Sequence, residues 1–304
     1  MTQVTIRSVA DIDVLAPSWQ LSLEAEAKSE GTIESYTYAT TQLSAFLRER
    51  GMPSEVGAIS REHVETFIVH LIKTRSESTA ETRYRGLKRF FDWCVAEGEI
   101  SESPMKNMSP PQVVEPKIEV PKVEDLEKLL DSCAGNGFED RRNTAILRLF
   151  LDSGMRLAEL KRIKVGDLDL SAGMVGVIAK GGRNQDYSFG RRTAKAIDRY
   201  LRVRRGHPHA ESPELWLGLK GPLSESGIRQ MVWRRSLAAG IPRMHPHQLK
   251  HYFVDAWLRA GGSEGDLMAL VGWSSRAMLG RYAATTRRAR AHDAHRSLSP
   301  GDRI

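Results

Sequence analysis

The sequence predicts a mainly α fold with a small antiparallel β-sheet, divided into an all-helical first domain and an α+β second domain. Three observations carry this expectation. The chain has 304 residues, more than one compact core usually takes. Apolar residues recur at three- and four-residue spacing from about Trp19 to Glu99, whereas short alternating runs lie between Val165 and Phe189. Between these regions stand Pro104, Pro110, Pro111, Pro116 and Pro121 without a helical period. Prolines this dense keep a chain extended and stop either flanking helix from growing through it. The expected boundaries are a tail over 1–15, a helical domain over 16–103, a linker over 104–121, the α+β domain over 122–288 and a second tail over 289–304.

In the first half, one helix opens at Thr32, continues through Leu43, Phe46 and Leu47, and stops near Gly51-Met52-Pro53. A second starts after Ser60, with Val64, Phe67, Ile68 and Leu71 as its buried stripe. A third runs from Ser78 to Ala96 and sets Arg83, Arg85, Lys88 and Arg89 beside Leu87, Phe90, Phe91 and Trp93. Those bases read equally well as a solvated face or as phosphate contacts. In the second half, helices are expected over 123–130 and 143–151, with Gly154 as C-cap, and again from Leu157 to Leu160. Strands follow over 165–170 and 174–178. Lys180-Gly181-Gly182 is a hairpin turn leading to a third strand around Tyr187 to Phe189. Helices return over 194–203, 224–239, 248–260 and 263–270, and a basic one begins at Arg287.

Composition narrows the function. An apolar fraction of 40% and a charged fraction of 27% are ordinary for a globular protein. No apolar run is long enough to cross a bilayer, and the first residues lack the apolar segment of a signal peptide. Two cysteines, Cys94 and Cys133, one in each half, fit a reducing cytoplasm better than a disulfide framework. The net charge of +7, with a pI near 9.5, favours a polyanionic partner.

Four segments carry the chemistry. Gly154-Met155-Arg156 places an arginine at a helix start, with Glu159 three residues on. Lys180 sits at the hairpin tip, followed by Arg183. His247-Gln248-Leu249-Lys250-His251 opens a helix, and Gly272-Trp273 precedes Arg281-Tyr282. In this order, with Lys180 following Arg156 by 24 residues and Tyr282 following Trp273 by nine, they resemble the tyrosine recombinase (phage integrase) family. The resemblance covers nearly the whole chain, since the helical first half looks like the family's core-binding, SAM-like domain. With few residues before the first expected helix, it looks like a short form lacking the arm-binding domain.

The resemblance implies a site-specific DNA strand transferase whose two domains clamp double-stranded DNA, with Tyr282 as nucleophile and a 3′-phosphotyrosyl intermediate. Attack on a phosphodiester builds negative charge on its oxygens, so preplaced donors are needed. Arg156, Lys250 and the indole N–H of Trp273 supply them. His247 is placed to move the tyrosine proton, and Lys180 to protonate the leaving 5′ oxygen. Glu159 and His251 are supporting groups, Glu159 either orienting a cation or imidazole or simply pairing with Lys161 or Arg162. Arg83, Arg85, Lys88, Arg89, Arg183 and Arg281 are candidate DNA contacts. Because the intermediate stores the bond energy, neither ATP nor metal is expected. His245, His247 and His251 lack a completing cysteine or carboxylate. The family's His-x-x-Arg reads here as His-x-x-Lys, which keeps the charge but loses the two-pronged guanidinium. The implied setting is the bacterial cytoplasm, at the nucleoid. There a homotetramer on paired DNA integrates or excises a phage or other mobile element, helped by an accessory directionality factor. Its C-terminal segment is either passed between protomers or lies as a basic tail. The alternative is a catalytically impaired DNA-binding relative, and a type IB topoisomerase-like enzyme shares the chemistry.

Overall fold

A computed structural model describes residues 10–113, 119–178, 184–273 and 275–303, without the side chains of 281–287, 289, 297, 300 and 303. The chain divides into two compact units, Met1–Pro116 and Lys117–Ile304.

The described residues of the first unit form four α-helices, α1 (Ile12–Ala25), α2 (Glu30–Glu49), α3 (Arg61–Thr74) and α4 (Glu77–Ala96). Helix α1 begins inside the stretch expected to be a tail. The Asp11 side chain accepts from the Asp13 N–H at 2.9 Å and starts the helix, and Ile12 and Leu15 are buried. Helix α2 begins two residues before Thr32, at Glu30, with Ser29 as N-cap. Apolar spacing on α2 and α4 aims Leu43, Leu47, Leu87 and Phe90 inward, where Trp19 meets Phe90 edge-on at 5.1 Å. The first residues of the expected linker also belong to this core. Met105 is fully buried, and the Tyr84 hydroxyl donates to the Met108 carbonyl at 2.5 Å. Proline content alone gave no sign of that anchor.

The second unit is built around α6 (Phe138–Ser153), preceded by α5 (Val123–Asp131). After α7 (Leu157–Arg162) comes an antiparallel sheet of β1 (Leu168–Asp169), β2 (Met174–Ile178) and β3 (Asn184–Ser188), with Val175 opposite Tyr187. The first expected strand shrinks to two residues because Asp167 accepts from the Lys164 N–H at 2.8 Å and folds Val165–Asp167 into a 3-10 turn. Helix α8 (Arg191–Arg204) follows, three residues longer at its start than expected. A two-strand ladder unforeseen in the sequence, β4 (Leu217–Gly218) with β5 (Gly221–Pro222), precedes α9 (Glu225–Ala238), α10 (Pro246–Arg259) and α11 (Glu264–Leu270). Helix α12 (Arg276–Leu298) is one helix of 23 residues, so the segment from 289, expected to be a separate tail, continues it to Leu298.

Helices α8 and α10 both pack on α6 and barely meet each other. The core beneath them holds Leu147, Phe150, Tyr200, Trp216 and Leu249. Tyr200 donates to the Leu215 carbonyl at 2.9 Å, and the Trp216 indole donates to the Leu160 carbonyl at 2.9 Å. Buried aromatics with satisfied polar tips fix orientation as well as burial. They hold α7 at a set height beside the end of α6.

Candidate active site

The site grows from the end of α6. Gly154 closes that helix in the left-handed region, with φ +59° and its N–H bonded to Phe150 O at 3.1 Å. A Cβ at Gly154 would stand 2.2 Å from the Phe253 ring of α10, so glycine is required by close approach as well as by φ. This close approach brings the end of α6 against α10. Two residues later Arg156 caps α7.

Glu159, 4% exposed, holds Arg156 from below. One carboxylate oxygen accepts from the Arg156 backbone N–H at 2.6 Å and from the Tyr187 hydroxyl at 2.7 Å; the other accepts from the guanidinium at 3.0 Å. Burial pulls the Glu159 carboxyl upward, but these donors and the guanidinium charge outweigh it and leave it below the usual carboxylate range. Burial and the Glu159 charge push the Tyr187 hydroxyl upward, so it stays a donor. Of the two readings of Glu159, its partner is Arg156, not Lys161 or Arg162.

Helix α10 supplies the facing side. Pro246 occupies its first turn, where a missing N–H is harmless, and His247, Lys250 and His251 follow within two turns. Lys250 is only 1% exposed. Its ammonium donates to the Gly154 carbonyl at 2.5 Å and lies 5.5 Å from the centre of the Trp273 ring. Burial, with the nearby Arg156 charge, lowers its pKa to about 7 against the pull of Glu159. Burial therefore works against the charge that lysine was expected to keep here. A guanidinium would stay charged in this place, whereas a buried amine titrates near neutrality.

His247 is exposed. Even so, the crowding around it, then Lys250 and Arg156, hold it below the ordinary histidine pKa. The His251 ring stands nearly perpendicular to it at 4.8 Å, and burial, His247 and Lys250 drive its pKa down to about 4. Both rings are set to be neutral at pH 7.

Trp273 is buried with Val254, Leu267, Val271 and Leu279. The turn before it uses Gly272 at φ +66°, where a Cβ would lie 2.9 Å from the Gln185 side chain. Gln185 of β3 donates to the carbonyls of Ala269 and Leu270, at 3.2 Å each, and so ties the sheet to the end of α11. Gln185, Tyr187 and the Gly154 carbonyl are the site-building groups that sequence reasoning missed. Gln185 and Tyr187 stand two apart on one strand, on the same face, and that alternation was the available signal.

Tyr282 lies in α12, three residues after buried Leu279. Helix α12 packs on α10, and Asp255 of α10 accepts from Arg259 at 2.7 Å and Arg290 at 3.3 Å, while Arg259 also reaches Asp293 at 3.3 Å. The helix of Tyr282 is thus tied to the helix of His247 and Lys250. The Tyr282 and Arg281 side chains, and Lys180 and Arg183 altogether, lie outside the described residues.

The expected DNA contacts of the first unit are all engaged within it. Arg83 donates to Gln42 at 2.6 Å and covers the Tyr38 ring at 4.7 Å; Arg85 pairs with Glu81, Lys88 with Asp92 at 3.5 Å, and Arg89 with both oxygens of Glu26.

Comparison with known proteins shows the family and the fold. Residues 121–288 match the phage integrase family, and residues 15–99 match the phage integrase N-terminal SAM-like domain. Tyrosine recombinase XerC of Staphylococcus saprophyticus is 27% identical over 268 residues, covering 85% of this chain and 88% of that protein. Among solved structures, XerH recombinase in a post-cleavage complex with palindromic difH substrate has a TM-score of 0.72 at 18% identity, over 86% of this chain and 79% of that one. A λ integrase tetramer bound to a Holliday junction also reaches 0.72, at 14% identity, over 90% of this chain and 80% of that one. With its helical first unit, its small antiparallel sheet and this cluster at the end of α6, the chain belongs to the phage integrase family, the tyrosine recombinases.

Proposed function

We propose that the chain cleaves and rejoins DNA at specific core-type sites through a 3′-phosphotyrosyl bond to Tyr282. The observation that carries this reading is the convergence of Arg156, His247, Lys250 and Trp273 around the end of α6, with the helix of Tyr282 packed on the same α10. In the forward step the Tyr282 phenol oxygen attacks the scissile phosphorus and passes its proton to neutral His247. The 5′ oxygen leaves in line and takes a proton from Lys180. Arg156, braced by Glu159, and Lys250 hold the non-bridging oxygens as their charge rises. A phosphate arriving between them also raises the Lys250 pKa, because an adjacent anion favours the ammonium. A 5′ hydroxyl of the partner strand then attacks the phosphotyrosine and gives its proton to the now neutral Lys180, while the tyrosine oxygen leaves and takes back its proton from His247. One phosphodiester is exchanged for another, so no nucleotide energy is consumed.

The similarity to the λ integrase tetramer supports a homotetramer on paired DNA. The mobile-element substrate expected from the sequence draws support from that same likeness. The XerC relatives are matched at higher identity over most of their length, and they favour a Xer-type site instead. Covalent capture separates the two. Genomic fragments incubated with the protein, denatured and recovered through the linked protein should converge on one sequence. Ends of an inserted element support the first substrate, and a single chromosomal site outside any element supports the second. Fragments bound but never linked sink the catalytic reading and leave a DNA-binding relative.

A further inference from the structure

Helix α8 breaks the charge rules that α4 obeys. Seven bases and one acid stand in residues 191–205, nearly the whole of the chain's formal net charge of +7. Buried Thr193, Ala196, Ile197 and Tyr200 turn one side of α8 to α6, and Arg204 is consumed internally, donating to the carbonyls of Ala210, Ser212, Glu214 and Leu215. The exposed side carries Arg191, Arg192, Lys195, Arg199, Arg202 and Arg205. Arg202 alone has an acidic partner among the described residues, Asp198.

This arrangement opposes local stability twice. Like charges three and four residues apart repel along 192, 195, 199 and 202. Arg191 and Arg192 also occupy a first turn with no acid in it, where the helix dipole disfavours cations. Solvation alone asks for no such pattern. On α4 of the same protein, Arg85, Lys88 and Arg89 each meet an acid. A local rule broken without compensation inside the fold points to compensation from outside it.

We infer that the exposed face of α8 is a second, sequence-independent contact for the DNA backbone, separate from the active site. Helices α8 and α10 pack on α6 with little contact between them, and the basic stripe faces away from α6. From Arg192 to Arg202 the stripe spans about 15 Å of helix axis, comparable to about four phosphates along one strand. Five of the six exposed bases are arginines, the side chain that grips phosphate oxygens in pairs. The stripe offers no apolar or hydrogen-bonding variety with which to read bases, so it serves holding and not choice. Duplex DNA running beside the core site, gripped by its phosphates, is its occupant.

The inference rests on the chain acting on DNA, and the test separates the two claims. Binding to a long random-sequence duplex is measured over a range of salt for wild type and for the triple variant Arg192→Gln/Lys195→Gln/Arg199→Gln. Each lost phosphate contact lowers the slope of log affinity against log salt by about 0.9. The variant should therefore lose roughly 2–3 from its slope, while Arg192→Lys/Arg199→Lys retains the wild-type slope. Thermal melting reports folding, and the neutralised variant should melt at the same temperature or higher because repulsion is relieved. A folded triple variant with the wild-type slope overturns the α8 contact and leaves the active-site reading intact. A wild-type protein with no salt-dependent DNA binding overturns both.

Discussion

Arg156 and Lys250 face the same space from opposite sides, and the protein holds them by opposite means. Arg156 is 42% exposed in its side chain and braced by a buried carboxylate. Lys250 is sealed at 1% exposure, with a carbonyl for its proton and a tryptophan face beside it. The first arrangement fixes a permanent charge in position. The second fixes a position and leaves the charge conditional, since burial has brought the Lys250 pKa to about 7. In the proposed clamp an arriving anion favours the charged form of Lys250, as an adjacent negative charge does for any amine. Occupancy and protonation are thereby linked in Lys250 and not in Arg156.

The comparison breaks most sharply at Arg156. Arg156→Ala should slow single-turnover cleavage of a nicked core-site duplex by about 10²–10³, the cost of one donor aimed at a transition-state oxygen. Lys180→Ala should show a defect of about 10²–10⁴ on ordinary DNA. A substrate whose 5′ bridging oxygen is sulfur should restore the rate, because a thiolate leaves without a proton. Persistence of the defect on that substrate would remove Lys180 from the acid role.

Next comes pH. The charged form of Lys250 is the useful one, and its folded pKa lies below its unfolded value. At subsaturating DNA, wild-type cleavage through this group should fall up to tenfold per unit as pH rises above about 7. Lys250→Arg should lose that alkaline limb. Its height is a separate matter, since a guanidinium must be forced between Gly154 and Trp273, and overpacking costs about 1–3 kcal/mol. An alkaline limb unchanged in the arginine variant would detach it from Lys250. Stability runs the other way. Between about 7 and the unfolded lysine value the unfolded chain binds the extra proton, so wild-type stability should rise with pH across that window. Denaturant titrations of Lys250→Met should lack that rise.

Smaller still is Glu159→Gln, which keeps a hydrogen-bond acceptor but loses the charge that holds the guanidinium. About tenfold in cleavage rate is expected, with DNA affinity nearly unchanged. Tyr187→Phe removes one hydrogen bond, worth about 1 kcal/mol of stability, and should leave the rate within a few-fold.

Much of this arrangement could be read in the sequence. Gly154 followed by Arg156, and His247 followed by Lys250, are local patterns, and helix periodicity placed them at element ends. What escaped was set by packing across the fold. Nothing near Lys250 in the chain announces that α6 and α10 meet closely enough, over Gly154 and Phe253, to bury it. The bracing of Arg156 by Tyr187 depends on sheet register, and the link from Gln185 to α11 spans more than 80 residues. The bases on α4 stand among aromatics, yet Arg85 and Lys88 find acids one turn away, Arg89 finds Glu26 at the end of α1, and Arg83 donates to Gln42. The bases of α8 form one exposed stripe only because Ala196, Ile197 and Tyr200 are buried against α6, a packing that the sequence does not state.

The central claim is that the conditional clamp serves an attack by Tyr282. It is tested most directly by trapping wild-type protein on its captured site in a nicked duplex, digesting the product with protease and nuclease, and weighing the modified peptide. The account predicts a 3′-phosphonucleotide on the peptide that contains Tyr282, formed in the presence of a chelator and absent from Tyr282→Phe. A nucleotide carried by any other residue, or a tightly bound site that never becomes linked, would contradict it.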